Sequence, residues 1–195
     1  DIYGYDASGI TIWGESAGAY LATMAAFSSK DEYIDTKYVG EAEEVSNEYK
    51  ISGLIDHYGL YKIEDIMSQF KEEGWPGFVT KSDGNWANGI DNAIAESFFN
   101  EKVRDMSEDY LKEINPVTRI GQANIDMKVY IAHGDTDITV PYMQSEYLNE
   151  KAKERFGHLN VKFDLYKNYK HADDRFYTSD KLSKIEAFLS NSHAI

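Results

Sequence analysis

The sequence predicts an α/β fold, built on a mainly parallel sheet of about four strands with flanking helices. Four short β-branched or aromatic segments recur along the 195 residues, at 10–13, 51–57, 128–132 and 161–166. Helix-forming segments lie between or after these strands. Strands that alternate with helices are typical of parallel sheets, so the whole chain is predicted to form a single domain, 1–195.

Composition narrows the possible functions. Apolar residues make up 42% of the chain and aromatic residues 14%, which excludes a disordered protein. The absence of cysteine excludes disulfides, thiolate metal sites and cysteine nucleophiles. A formal net charge of −14 opposes binding to nucleic acid or to anionic lipid, and no apolar run approaches the ~20 residues of a membrane span. The sequence does not begin with a signal-peptide pattern. It does not distinguish a cytoplasmic from a secreted location.

The elements follow in order. After the first strand, the segment from Ala19 to Phe27 is apolar on nearly every side, which predicts a buried helix. Residues 62–115 are the least regular part of the chain. The segment 142–156 is helical in pattern, and a last helix begins at Ser179 with one apolar face formed by Leu182, Ile185, Phe188 and Leu189.

A Gly14-Glu15-Ser16-Ala17-Gly18 string lies between the first strand and the buried helix. In a strand–turn–helix context, this pattern places a serine at the apex of a strained turn, with glycines that allow strand and helix to approach closely. The Ala17 amide would then face a developing oxyanion. The alternative is an ordinary Gly-rich turn with a capping serine.

A serine nucleophile needs a base, and its imidazole needs a carboxylate that fixes the tautomer. His171 is the best candidate base, since it lies in the loop between the fourth strand and the last helix; a solvated loop histidine is the alternative. Four other histidines are less suitable by position: His57, His133, His158 and His193. The loop after the third strand offers Asp137 as the acid, whereas Asp135 stands where a carboxylate would bind turn amides.

These motifs resemble those of the α/β-hydrolase superfamily, in its esterase/lipase, carboxylesterase-like branch. Residues 10–18 are similar to the nucleophile-elbow strand, residues 133–137 with Val140-Pro141 to the acid loop, and Asn115-Pro116-Val117-Thr118 to a stretch before that strand. The resemblance implies a serine carboxylic-ester hydrolase that works through an acyl-enzyme without a cofactor, on small or carbohydrate-linked esters such as acetyl or feruloyl esters. A peptidase on the same fold and an association module without turnover are the alternatives.

The resemblance covers the second half of the family's eight-stranded sheet, so the chain is expected to be an N-terminally truncated, partial α/β-hydrolase fold. Nothing in residues 1–13 matches the family's His-Gly-Gly-Gly-like oxyanion loop. We therefore expect weak or no esterase activity from the chain alone. We also expect the 10–13 strand edge to pair with a second copy or an upstream fragment.

The segment 62–115 is expected to be a cap-like insert. Its aromatic residues could line a substrate pocket or could form only the insert's own core. Glu15, Trp75, Phe78 and Trp86 are the candidate substrate-binding residues. The pair Asp173-Asp174 is interpreted as part of a solvated loop rather than a cation site, and no metal-ligand spacing appears elsewhere.

Overall fold

The computed structural model describes residues 9–28, 50–73 and 90–190, and a four-stranded sheet lies at its centre. The strands are β1 (Ile10–Glu15), β2 (Ile51–His57), β3 (Lys128–Gly134) and β4 (Val161–Tyr166). They lie in the order β1-β2-β3-β4, and every neighbouring pair is parallel. The predicted α/β class and the four strand positions are confirmed. β1 and β3 each run two residues past their predicted ends because backbone pairing with the neighbouring strand continues.

Six helices accompany the sheet in the described residues: α1 (Ala17–Phe27), α2 (Ile66–Glu72), α3 (Ile90–Phe99), α4 (Glu108–Ile114), α5 (Met143–Phe156) and α6 (Ser179–Ser190). The helices predicted after the first, third and fourth strands are all present. None of the helices in the described ranges is long and apolar enough to cross a membrane.

The two central strands, β2 and β3, are buried on both faces, as is usual in parallel sheets. Along β3, Val129 and Ile131 join a core cluster with α1 and α5, whereas Tyr130 and Ala132 join a second cluster with α6. This strict alternation explains why β3 is an almost continuous apolar run in the sequence. The layering leaves the carboxyl edge of the sheet free for polar side chains.

The described parts of the segment 62–115 pack against α1. The Tyr20 hydroxyl donates to the Ile114 carbonyl over 2.6 Å, and its ring lies 5.6 Å from Phe98 and 6.0 Å from Phe99. Phe99 therefore packs against the hydrophobic cluster that contains Tyr20, whereas Phe98 is 37% exposed. The insert's role as a cap over the serine stays a prediction.

β1 is one of the two edge strands of the sheet within the described residues, since its pairing there is with β2 alone. Trp13 is 42% exposed on this strand and Ile10 is 36% exposed. An apolar edge of this kind favours pairing with a further strand.

Candidate active site

Three segments meet at the carboxyl edge of the sheet. Ser16 follows β1, residues 135–142 follow β3, and residues 167–178 follow β4. Because all four strands are parallel, their carboxyl ends lie along one edge, and ligand sites of open α/β sheets form there.

The turn at Ser16 is strained. Its φ of 50° and ψ of −119° lie outside the regions that side-chain-bearing residues usually adopt. A Cβ on Gly14 would lie 2.6 Å from the Ala19 nitrogen and closer still to the Gly18 carbonyl, so only glycine permits this approach of strand and helix. The matching expectation for Gly18 is wrong, because a Cβ there would meet no described atom within 4 Å.

The structure brings Ser16, His171 and Asp137 into one hydrogen-bonded chain. His171 Nε2 lies 3.0 Å from Ser16 Oγ, and His171 Nδ1 lies 2.6 Å from Asp137 Oδ2. The carboxylate can only accept, so Nδ1 carries a proton and Nε2 is free to accept the serine proton. The Asp137 side chain is fully buried, and that of His171 is 18% exposed.

Asp137 is held by three hydrogen bonds and by a close contact with His133. Its Oδ1 accepts from the Thr139 and Val140 amides at 2.8 and 2.9 Å, and its Oδ2 accepts from His171 and lies 3.2 Å from His133 Nε2. Burial alone would raise the pKa of this carboxyl, but the hydrogen bonds from the two histidines outweigh it and lower the pKa to about 2. Asp137 is therefore ionised across the neutral range.

Backbone contacts tie the acid loop to the histidine loop. The Thr136 amide donates to the Tyr169 carbonyl at 3.1 Å, and Asp135 Oδ1 accepts from the Asn168 amide at 2.5 Å. A Cβ on Gly134 would lie 2.6 Å from the Tyr169 carbonyl carbon, so this glycine permits the two loops to meet. Asp135 thus binds a turn amide, as expected. Asp137 differs in that it binds two amides through Oδ1 and the His171 imidazole through Oδ2.

Tyr58 is a site residue that the sequence reasoning missed. Its ring packs edge-on against His171 with centroids 4.8 Å apart, and its hydroxyl lies 2.6 Å from Tyr177 and 3.3 Å from the Glu15 carboxylate. Tyr58 is 1% exposed and holds a φ of 45°. Its position directly after β2, at the edge where all the strands end, was the available signal.

Two of the remaining histidines are buried. Both ring nitrogens of His57 lack a hydrogen-bond partner in the described part of the chain, and aromatic rings surround this side chain. His133 is completely buried, and both of its ring nitrogens lie within hydrogen-bond distance of acceptors or hydroxyls. Neither lies within hydrogen-bond distance of Ser16.

The remaining candidate residues are taken one by one. Ala17 is the first residue of α1, where an amide has no partner within the helix and can donate to a ligand. Glu15 accepts from Tyr58, as described above. Trp75, Phe78 and Trp86 lie outside the described residues. Asp173 pairs with Arg175 at 2.7 Å, and within the described ranges no group of three or more acidic or histidine side chains is arranged to hold a metal ion.

The arrangement can support one kind of chemistry without further groups. It holds a half-buried hydroxyl against an imidazole whose tautomer is fixed by a buried carboxylate, beside the N-terminus of a helix. Such a site can transfer an acyl group to serine.

Comparisons with known proteins agree with this fold. The BD-FAE family model, which describes an α/β-hydrolase-like esterase domain, matches residues 1–152. A search of curated protein sequences finds no match. A solved truncated carbohydrate esterase from gut microbiota aligns over 97% of this chain with a TM-score of 0.63 and 18% identity.

Two further solved structures share the fold. An acylaminoacyl peptidase from Pyrococcus horikoshii covers 97% of this chain with a TM-score of 0.56 and 14% identity. The esterase Est2 from Thermogutta terrifontis covers 91% with a TM-score of 0.50 and 15% identity. The chain spans 61% of the carbohydrate esterase, 26% of the peptidase and 50% of Est2. At these identities the structures establish the fold alone.

Proposed function

Since the chain belongs to the BD-FAE family of α/β-hydrolase-like esterase domains, we propose that it is a serine carboxylic-ester hydrolase. The observation that carries the proposal is the Ser16–His171–Asp137 chain, with separations of 3.0 and 2.6 Å. Its members come from three different loops, and only the fold brings them together.

In the proposed reaction, Ser16 Oγ attacks the ester carbonyl carbon while His171 Nε2 takes the hydroxyl proton. The carbonyl π electrons move onto oxygen, and the Ala17 amide donates to that oxyanion. The tetrahedral intermediate collapses, the alkoxide leaves with the proton from His171, and an acyl-serine remains. Water then attacks the acyl-serine with His171 as base, which releases the carboxylic acid and restores the serine. Asp137 orients His171 and stabilises its cation throughout.

The substrate we propose is a small or carbohydrate-linked ester, of acetyl or feruloyl type. The carbohydrate esterase among the structural neighbours supports this choice. A peptidase is the second candidate, and the acylaminoacyl peptidase neighbour favours it. The remaining alternative is an incomplete fragment that associates with another chain. The exposed apolar edge at Trp13 supports this alternative.

Hydrolysis of p-nitrophenyl acetate by the parent and the Ser16→Ala variant tests the proposal. The parent should release p-nitrophenol and Ser16→Ala should not, whereas Ser68→Ala, which alters an exposed serine on α2, should match the parent. Measurable release of p-nitrophenol by Ser16→Ala at the same rate as by the parent would overturn the proposal. Cleavage of p-nitroacetanilide at a rate similar to that of the ester would favour the peptidase. Covalent reaction of Ser16 with a fluorophosphonate without ester turnover would favour the associating fragment.

A further inference from the structure

We propose that His133 is a positioning residue that holds the Asp137 carboxylate toward His171, and that Ser145 on α5 selects the His133 tautomer that does so. The inference rests on the proposed function for its kinetic consequence, but the geometry itself can be tested without turnover. It extends the hydrogen-bonded chain from three residues to five, from the elbow serine into the core.

The geometry carries the proposal. His133 Nε2 lies 3.2 Å from Asp137 Oδ2, the same oxygen that accepts from His171, and 3.0 Å from the Val140 carbonyl. His133 Nδ1 lies 2.7 Å from Ser145 Oγ. His133 and Ser145 are both 0% exposed, so water does not replace these contacts.

Chemistry fixes the direction of each hydrogen bond. A carbonyl and a carboxylate can only accept, so Nε2 of His133 carries the proton. It donates this proton to the Val140 carbonyl, and the N–H also lies close to Asp137 Oδ2, at 3.2 Å. Nδ1 of the neutral ring is then an acceptor, and the Ser145 hydroxyl donates to it. With the opposite tautomer, an Nε2 lone pair would face two acceptor oxygens in the core, an arrangement that burial makes unfavourable.

The surroundings contain few other charges. Besides Asp137, the groups that face His133 are the buried carboxyl of Asp56 and the ring of Tyr58, with ring centroids 6.4 Å apart. The hydrogen-bond partners of the ring within the described residues are the Ser145 hydroxyl and the Val140 carbonyl. The contacts with His133 and His171 both favour the ionised form of Asp137 and lower its pKa.

Removing the His133 imidazole should leave Asp137 Oδ2 supported by His171 Nδ1 alone among the described side chains, while Oδ1 stays bonded to the two loop amides. His171 would then lose its fixed orientation toward Ser16. Loss of one hydrogen bond to a charged group corresponds to about a tenfold loss in rate. A glutamine at this position places an amide N–H where Nε2 lies, so it should preserve the contact.

The experiment measures the imidazole protons of the 195-residue chain by ¹⁵N-edited NMR. The parent should show His133 as the Nε2–H tautomer and a low-field His171 Nδ1–H signal from the bond to Asp137. Ser145→Ala should mix the His133 tautomers, and His133→Leu should broaden or remove the His171 signal. His133→Gln should restore it, and Leu148→Val, a buried change on the same helix, should leave it unaltered.

Two NMR results would overturn the inference: an Nδ1–H tautomer of His133 in the parent, or a His171 signal that His133→Leu does not change. The rate of Ser16 labelling by a fluorophosphonate adds the kinetic readout, with about a tenfold loss expected in His133→Leu and recovery in His133→Gln. Parent-like labelling in His133→Leu would also contradict the inference. If Ser16→Ala is labelled as fast as the parent, the proposed function fails while the NMR result still decides the role of His133.

Discussion

Replacing Asp56 with asparagine, or its neighbour His57 with phenylalanine, should change the slope of the free energy of unfolding against pH. The two substitutions should change it in opposite directions. Both residues end β2 and are buried, at 0% and 1% exposure. Burial raises the pKa of Asp56 to about 6, because desolvation outweighs its hydrogen bonds from Tyr61, Gly59 and Thr23. Burial lowers the pKa of His57 to about 4, since its ring has no described hydrogen-bond partner.

The sign of each contribution follows from linkage. Asp56 has a raised folded-state pKa, so its contribution to stability is fully present below its reference value of 3.8 and is lost as the pH rises through about 6. His57 has a lowered folded-state pKa, so its contribution is fully present above 6.5 and is lost as the pH falls through about 4. Each shift corresponds to about 3 kcal/mol, at 1.36 kcal/mol per pKa unit.

In the parent, the two contributions oppose each other between pH 4 and 6.5 and should nearly cancel. In Asp56→Asn, His57 is the only one of the two groups that still titrates. The free energy of unfolding should therefore rise by about 3 kcal/mol from pH 4 to 6.5, relative to the parent curve. In His57→Phe, Asp56 is the group that still titrates, so the free energy of unfolding should fall by about the same amount over the same pH range, relative to the parent curve. The slopes form the test, because each substitution also changes local packing.

Urea unfolding followed by circular dichroism at half-unit steps of pH measures these slopes. Other groups that titrate in this range contribute equally to all curves and drop out of the comparison. His158→Gln, which removes an exposed imidazole, should run parallel to the parent. Curves for Asp56→Asn and His57→Phe that also run parallel to the parent would refute the reasoning.

Three further outcomes are expected. Gly134→Ala should place a Cβ against the Tyr169 carbonyl, separate the acid and histidine loops, and lower the fluorophosphonate labelling rate at least tenfold, while circular dichroism shows a retained fold. Tyr58→Phe keeps the ring beside His171 and should change that rate by less than about tenfold, whereas Tyr58→Ala removes the ring contact and should lower it further. Trp13→Lys should weaken any self-association through the β1 edge, measured by light scattering across protein concentration. If the parent associates and the variant shows the same apparent mass, the contact lies elsewhere.

Much of the fold could be predicted because local patterns and the fold agree. β3 is apolar on both faces, so its run of β-branched and aromatic residues directly indicates a buried parallel strand. The ends of β1 and β3 could not be placed, since Gly14, Glu15 and Gly134 are strand residues only through pairing with a neighbour. The segment 62–115 lacks a clear period, and its helices pack on α1 through contacts distant in sequence.

Some residues of the candidate site could also be predicted from the sequence, whereas some of its contacts could not. Ser16, Asp137 and His171 could be proposed from their places after β1, β3 and β4, because parallel strands end at a common edge. The 3.2 Å contact between His133 and Asp137 depends on how the acid loop folds back on itself, which no spacing in the sequence specifies. The contact of Tyr58 with His171 likewise depends on its positive φ.

The central claim is that Ser16 is the nucleophile of this hydrogen-bonded chain. Its most direct test is to treat the protein with a fluorophosphonate, digest it and locate the adduct by tandem mass spectrometry. A single adduct on Ser16 in the parent, lost in Ser16→Ala and retained in Ser68→Ala, is the expected result. An adduct on another residue, or equal modification of Ser16→Ala, would contradict the claim.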